Sequence, residues 1–186
     1  AAAAARRGAS VVLVTTQPGS APGGVEVVAV ETAAQMERAV GEAAPASDVV
    51  VMAAAVADFR PVQVAGEKLK KAAGVPEIVL EPTPDILAGL GAAKPEGQTL
   101  VGFAAETTDV AANAQAKLVA KGADLLVAND VSAEGVGFEH ATNAVVIYAV
   151  DAEPVEVALT GKDRVADAVF DAVVARRLRC AGSPRT

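Results

Sequence analysis

The chain has no tryptophan, and among its 186 residues only one cysteine, one histidine and one tyrosine. A lone Cys180 excludes an internal disulfide framework and any cysteine-rich metal site. His140 also stands alone, which removes a zinc-type cluster and makes a Ser-His-Asp set implausible. Aromatic residues are 3% of the total, so a core must be built from Val, Leu, Ile and Ala. Cations are outnumbered: 16 Lys and Arg against 23 Asp and Glu give a net charge of −7. That balance excludes a sequence-wide basic surface for nucleic acid, though not a local basic patch. Long apolar runs are missing too. The longest, residues 49–57, has nine residues between Asp48 and Asp58, too short to span a bilayer. No charged segment precedes the alanines at 1–5, so no secretory signal is visible, and a cytoplasmic protein outside the membrane is the expectation. Neither a GxxxxGK[ST] loop nor a GxGxxG after a strand occurs.

What is present is a chain with 52% hydrophobic and 21% charged residues, long enough for one domain with a real core. It opens AAAAARRGA, which reads as the tail of a helix ending at Gly8, with its start upstream. Residues 11–14 and 25–30 read as strands around a loop rich in Pro and Gly. Thr32 caps a helix reaching about Ala43, and Pro45 stops it. Residues 49–53 form a continuous apolar run, the pattern of a strand covered on both faces. A short strand is expected at 78–80. A helix follows to about Ala93, with Thr83 as its N-cap and Pro84 in its first turn. Strands at 99–103 and 125–128 flank a helix at 109–122. Residues 144–150 and 155–159 read as an antiparallel hairpin joined by 151–154, and 162–178 as a closing helix. The predicted fold class is α/β: a Rossmann-like three-layer α/β/α arrangement with a mostly parallel sheet and an antiparallel edge hairpin. It forms a single domain over residues 1–180 with a mobile tail at 181–186.

In an open α/β sheet, ligands bind beyond the carboxyl ends of the strands. Reading each strand's exit in turn brings Thr15, Thr16, Asp58, Phe59, Arg60, Thr83, Asp85, Phe103, Asn129 and Asp130 to one rim. The cations sharpen the ligand class. Lys117 and Lys121 are four apart and share a helix face, where an anion between them relieves their repulsion. Lys68, Lys70 and Lys71 lie in a Gly-flanked loop able to close over a polyanion. With Arg60, six of the 16 cations fall in segments assigned to this rim.

Taken in order, AAAVADFRP (53–61), KLKK (68–71), PTPDI (82–86), GFAAET (102–107), Lys117 and Lys121 before GADLL, and VANDV (127–131) resemble the phosphopantothenoylcysteine synthetases. These are also called phosphopantothenate–cysteine ligases. The likeness is to the bacterial, CTP-using type and covers nearly the whole chain. In that type the synthetase often forms the C-terminal part of a bifunctional protein, behind a flavin-dependent decarboxylase whose FMN is not held by the synthetase part. The resemblance implies a ligase of coenzyme A biosynthesis. The carboxylate of 4′-phosphopantothenate attacks the α-phosphate of CTP, pyrophosphate leaves with the help of Mg²⁺, and the amine of L-cysteine then displaces CMP from the acyl-cytidylate. It also implies roles for residues. Lys117 and Lys121 match triphosphate contacts, and Lys68 matches a loop lysine that contacts the nucleotide and assists turnover. Asp58 matches a nucleotide-binding carboxylate, while Thr83, Pro84, Asp85, Ile86 and Phe103 match the segments holding the nucleoside. Asn129 is assigned to the catalytic set at the same rim, and the metal ligands stay unassigned. The preference for CTP over ATP rests on the resemblance. The family also carries an upstream strand and an SN.SSGK.G segment that this sequence does not show, so the chain as given is expected to turn over poorly. The family dimerises, and a homodimer through the C-terminal hairpin region is expected. Two other readings remain open at this stage: an NAD(P)-dependent oxidoreductase on the same sheet type, and a non-catalytic dimerisation domain.

Overall fold

The computed structural model describes residues 1–63, 66–67, 77–106, 109–130 and 140–182. A short helix α1 (Ala2–Arg6) leads into the parallel pair β1 (Val12–Thr15) and β2 (Glu26–Ala29), in which Val12 lies opposite Glu26. Helix α2 (Ala33–Ala43) starts at Thr32 with a capping box. The Thr32 hydroxyl accepts the Gln35 N–H while the Gln35 side chain accepts the Thr32 N–H. Strand β3 (Val49–Met52), the short strands β4 (Phe59–Pro61) and β5 (Leu80–Pro82), and helix α3 (Ile86–Ala93) follow. Then come β6 (Thr99–Glu106), α4 (Val110–Ala120), β7 (Leu125–Asp130), the hairpin β8 (Thr142–Ala149) and β9 (Ala152–Gly161), and the long helix α5 (Lys162–Gly182).

The central sheet has the order β3-β6-β7-β8-β9. Its first two pairings are parallel and its last two antiparallel. The period of two along its strands divides the core into two clusters. Leu100, Ala104, Leu126, Ala128 and Tyr148 point to one face and pack with Met36 of α2, Ile86 and Leu90 of α3, and Leu118 of α4. Val101, Leu125, Val127, Val145 and Ile147 point to the other and pack with Val165, Val169 and Val173 of α5. Helices thus cover both faces, and the α/β layering read from the sequence is present, with the antiparallel hairpin at one edge. Leu100, Val101, Leu125, Leu126 and Val127 have at most 1% of their surface exposed, so β6 and β7 are the strands closed on both sides.

Several local expectations change. Strand β3 is not sealed on both faces: Val51 is 38% exposed, because β3 pairs with β6 alone among the described residues and lies at the sheet's edge. Residues 59–61, read as an exit loop, form β4 and pair antiparallel with β5, which begins at Leu80 where a strand over 78–80 was expected. The cross-strand Arg60–Glu81 ion pair at 2.7 Å and the Val62 N–H to Val79 carbonyl bond hold this ribbon. Thr83 does not cap α3. Its hydroxyl donates to the Ala57 carbonyl and its N–H to the Asp58 carbonyl, which leaves the cap to Asp85, whose carboxylate accepts the Ala88 N–H at 3.0 Å. Pro84 therefore precedes the helix and does not enter its first turn. The hairpin turn is tighter than 151–154, since β9 begins at Ala152. Helix α5 continues through Ala181 and Gly182, two residues assigned to the tail, and the rest of that tail lies outside the described residues.

At the end of the sheet opposite the rim, Asp124 is buried at 4% exposure. Its carboxylate accepts Lys94 Nζ at 2.6 Å, an Arg176 guanidinium nitrogen at 2.7 Å and the Leu100 N–H at 2.7 Å. Arg176 also reaches Asp151 in the β8–β9 turn at 3.0 Å. One carboxylate thereby ties together the α3–β6 connection, the head of β7 and helix α5, and Arg176 extends the tie to the hairpin.

Candidate functional site

The parallel strands β1, β3, β6 and β7 all end on one side, and polar residues collect there. A cavity of about 740 Å³ opens between the exits of β1 and β3. Thr15 and Thr16 wall it from β1, Ala55 and Phe59 from the segment after β3, Thr32 from the head of α2, and Thr83 from the approach to α3. The size suits a small polyatomic ligand. Of the rim residues read from the strand exits, Thr15, Thr16, Phe59, Arg60 and Thr83 line this cavity, and of those matched to the nucleotide site by resemblance Thr83 alone does. Thr32 was legible only as a helix cap, and nothing local in the sequence shows that it shares a wall with Thr15 and Thr16.

The remaining candidates sort into three groups. Asp58 and Thr83 come together through the backbone: the Thr83 N–H donates to the Asp58 carbonyl at 2.9 Å, and the Asp58 side chain stays exposed. Asp85, Ile86, Lys117 and Lys121 belong to α3 and to α4 with its C-cap, on the face of the sheet that Leu100 and Leu126 occupy. Ile86 is buried in that core, whereas Asp85 is exposed at the helix start. Lys121 makes an ion pair with Asp85. The Lys121 ammonium, donating to it, holds the Asp85 carboxyl below the usual carboxylate range, with the Ala88 N–H assisting against partial burial. Lys117 and Lys121 do share a helix side, joined by the Lys121 N–H to Lys117 carbonyl bond at 2.9 Å, but Lys121 is already matched by a carboxylate.

Phe103 and Asn129 form the third group. Phe103 lies opposite Val127, and Asn129 opposite Ala105, which makes the two diagonal neighbours on the face that α5 covers. Phe103 is 36% exposed and Asn129 half-buried, near the carboxyl ends of their strands. Arg60, counted among the rim cations, is paired with Glu81. Lys68, with Lys70 and Lys71, lies outside the described residues. The cavity itself is walled by threonine hydroxyls, the Phe59 ring and Arg60, while the Asp85–Lys121 pair and the Phe103–Asn129 pair stand outside its lining, on opposite faces of the sheet.

Comparison with known proteins decides the lineage. The sequence profile of the DNA/pantothenate metabolism flavoprotein C-terminal domain matches residues 1–176. The chain belongs to that family. A bifunctional coenzyme A biosynthesis protein CoaBC from Mycobacterium bovis is 45% identical over 183 aligned positions, covering 92% of this chain and 44% of the relative. The CoaBC protein of Bacillus subtilis is 43% identical over 178 positions, covering 93% of this chain and 43% of the relative. The chain therefore spans less than half the length of these relatives. A crystal structure of the C-terminal domain of a CoaBC protein superposes with a TM-score of 0.75 at 35% identity, covering 97% of this chain and 79% of that one. This flavoprotein C-terminal domain architecture accounts for both the three-layer core and the antiparallel edge. Among the described residues no helix is long and apolar enough to cross a membrane.

Proposed function

We propose that this domain is a phosphopantothenate–cysteine ligase using CTP, and that it forms 4′-phosphopantothenoylcysteine in coenzyme A biosynthesis. The observation that carries the reading is the 45% identity to a CoaBC relative over nearly the whole chain. The site motifs, quoted above in order, support it. In the reaction, a carboxylate oxygen of 4′-phosphopantothenate bonds to the α-phosphorus of CTP, and the bond to the bridging oxygen of pyrophosphate breaks. The amine of L-cysteine then bonds to the acyl carbon of the mixed anhydride, losing a proton, and CMP leaves with the electron pair of the broken C–O bond.

The chain's own residues supply binding and charge. Thr83, Pro84, Asp85, Ile86 and Phe103 are assigned to the nucleoside, with the ring of Phe103 offering a stacking face, and Lys121 is seated on Asp85. Lys117, Lys121 and Lys68 meet phosphate charge, which grows on the departing pyrophosphate. Asn129 is a side-chain amide at the rim that donates to the oxygen of the acyl-cytidylate carbonyl. Asp58, an exposed carboxylate beside Thr83, is assigned to nucleotide binding, and a magnesium ion arriving with the triphosphate would supply positive charge to the leaving pyrophosphate. In the bifunctional arrangement of the relatives, FMN would belong to the decarboxylase portion.

We also propose a homodimer built through the hairpin. Strand β9 ends the central sheet, and Val155 and Leu159 are exposed along it.

Calorimetric titration of this chain with CTP, ATP and NADPH tests the reading. Binding of CTP in preference to the other two is the expected result. Binding of NADPH with no response to CTP would overturn it in favour of an oxidoreductase. Pyrophosphate release that requires both 4′-phosphopantothenate and CTP, measured in the full protein carrying this domain, then tests the first chemical step.

A further inference from the structure

Helix α3 is held against its neighbours at two glycines, and they behave differently. Gly102 on β6 lies under α3, where an added Cβ would come 2.7 Å from Leu87 Cδ2 and 2.9 Å from Leu126 Cδ1. Those atoms are the ends of flexible side chains, which can turn aside. At Gly91, on α3 itself, an added Cβ would fall inside the contact radius of the Lys121 carbonyl oxygen. It would also lie 2.9 Å from the Lys121 carbonyl carbon and 3.1 Å from Gly122 Cα. These are backbone atoms and cannot swing away. The approach is reciprocal, since Gly122, which takes the left-handed conformation at φ +59°, would carry a Cβ 3.4 Å from the Gly91 backbone. Gly89 lies two residues earlier on the same helix, and a Cβ there meets nothing within 4 Å. The need for glycine is therefore a property of position 91 and not of α3 as a whole.

The place of this contact matters because Lys121 caps α4 and its ammonium reaches the cap of α3. Asp85 and Gly91 are six residues apart, about 9 Å of helical rise. The Lys121 backbone is thus level with the later part of α3, and its side chain runs back along the helix to the Asp85 carboxylate. We propose that Gly91 is a positioning residue: by letting α3 touch the last turn of α4 backbone to backbone, it sets the Lys121 ammonium on Asp85 and presents that pair to the nucleotide. The link to nucleoside binding rests on the function proposed above, whereas the seating of Lys121 on Asp85 does not depend on it.

The test compares Gly91→Ala with Gly89→Ala, since both raise helix propensity but only the first introduces the clash. The Asp85 carboxyl is titrated by carbon-13 NMR in the wild type, in both glycine variants, in Lys121→Met and in Gly91→Ala/Lys121→Met. Gly89→Ala should titrate as the wild type does. Gly91→Ala and Lys121→Met should both move Asp85 up toward the ordinary carboxylate range, and the double variant should go no further than Lys121→Met alone. In calorimetry, Gly91→Ala should weaken CTP binding by about tenfold in the wild-type background and have no effect beside Lys121→Met, the non-additivity of two residues acting through one contact. An unchanged Asp85 titration in Gly91→Ala, or effects that simply add, would overturn the proposal. If the carboxyl moves as expected while CTP binds none of the chains, the nucleotide reading falls and the seating role stands. Should Gly91→Ala fail to fold alone, it is carried in the Gly89→Ala background. Loss of folding there too would make Gly91 a folding determinant and refute the positioning role.

Discussion

Single carboxylates divide the labour at the two ends of the sheet. Asp85 faces the rim with one ammonium partner, while Asp124 is buried at the far end with two cations and a backbone N–H. Removing Asp124 leaves Lys94 without its carboxylate and Arg176, only 16% exposed, with Asp151 alone. Asp124→Ala should therefore cost about 3–5 kcal/mol, the penalty for stranding partly buried charge, read as a lowered urea midpoint. A loss under about 1 kcal/mol would show that water replaces the carboxylate. Asp151 is a milder case. The Arg179 side chain, which donates to it, and the charge of Arg176 hold its carboxyl below the usual range, so folding favours its charged form. The stability it contributes is present above the unfolded pKa, about 3.9, and is lost as pH falls through the lower folded value. Asp151→Asn should thus be less stable than the wild type at pH 7 by under about 1 kcal/mol, because the pair is solvent-screened. The gap between the two urea midpoints should begin to close near about pH 4 and vanish only below the folded value, and a gap that persists in strong acid would contradict this.

At the level of elements, the start of α2 and the start of α3 show how local chemistry sets a boundary and how a neighbour can move one. Thr32 was legible as a cap because hydroxyl and Gln35 stand at the spacing of a capping box, which is complete within four residues. Thr32→Ala should cost about 1 kcal/mol and lower the melting temperature by about 2–4 °C, with an unshifted melt arguing that the box is not formed in solution. Thr83 had an equally good local claim on α3. It lost that place to Asp85 because Ala57 and Asp58, 26 and 25 residues earlier in the chain, accept its hydrogen bonds. A sequence window cannot weigh a partner at that distance. The same limit hid β4: residues 59–61 are a strand only because β5 supplies the opposing ladder.

For the whole molecule, the sheet has a closed interior and an edge of a different character. Strands β6 and β7 are sealed by helices on both faces, whereas β9 ends the sheet with Val155 and Leu159 more than half exposed, at 51% and 55%. If the hairpin makes the dimer, Val155→Lys/Leu159→Lys should shift the sedimentation coefficient from dimer to monomer with the far-ultraviolet spectrum unchanged. A variant that sediments as the wild type does would place any dimer contact elsewhere. The sequence by itself determined the α/β class, the order of strands and helices apart from β4, the hairpin and the motifs that mark the family, because hydrophobic period, caps and spacing are written within a few residues of one another. Only the tertiary structure decided that β3 pairs with β6 alone among the described residues, that Lys121 is seated on Asp85, that Phe103 and Asn129 are diagonal neighbours, and that threonines from three segments share one cavity. Those facts depend on which remote backbones meet. Gly91 shows the reason most plainly: its missing Cβ has meaning only beside the carbonyl of Lys121, thirty residues away in the chain.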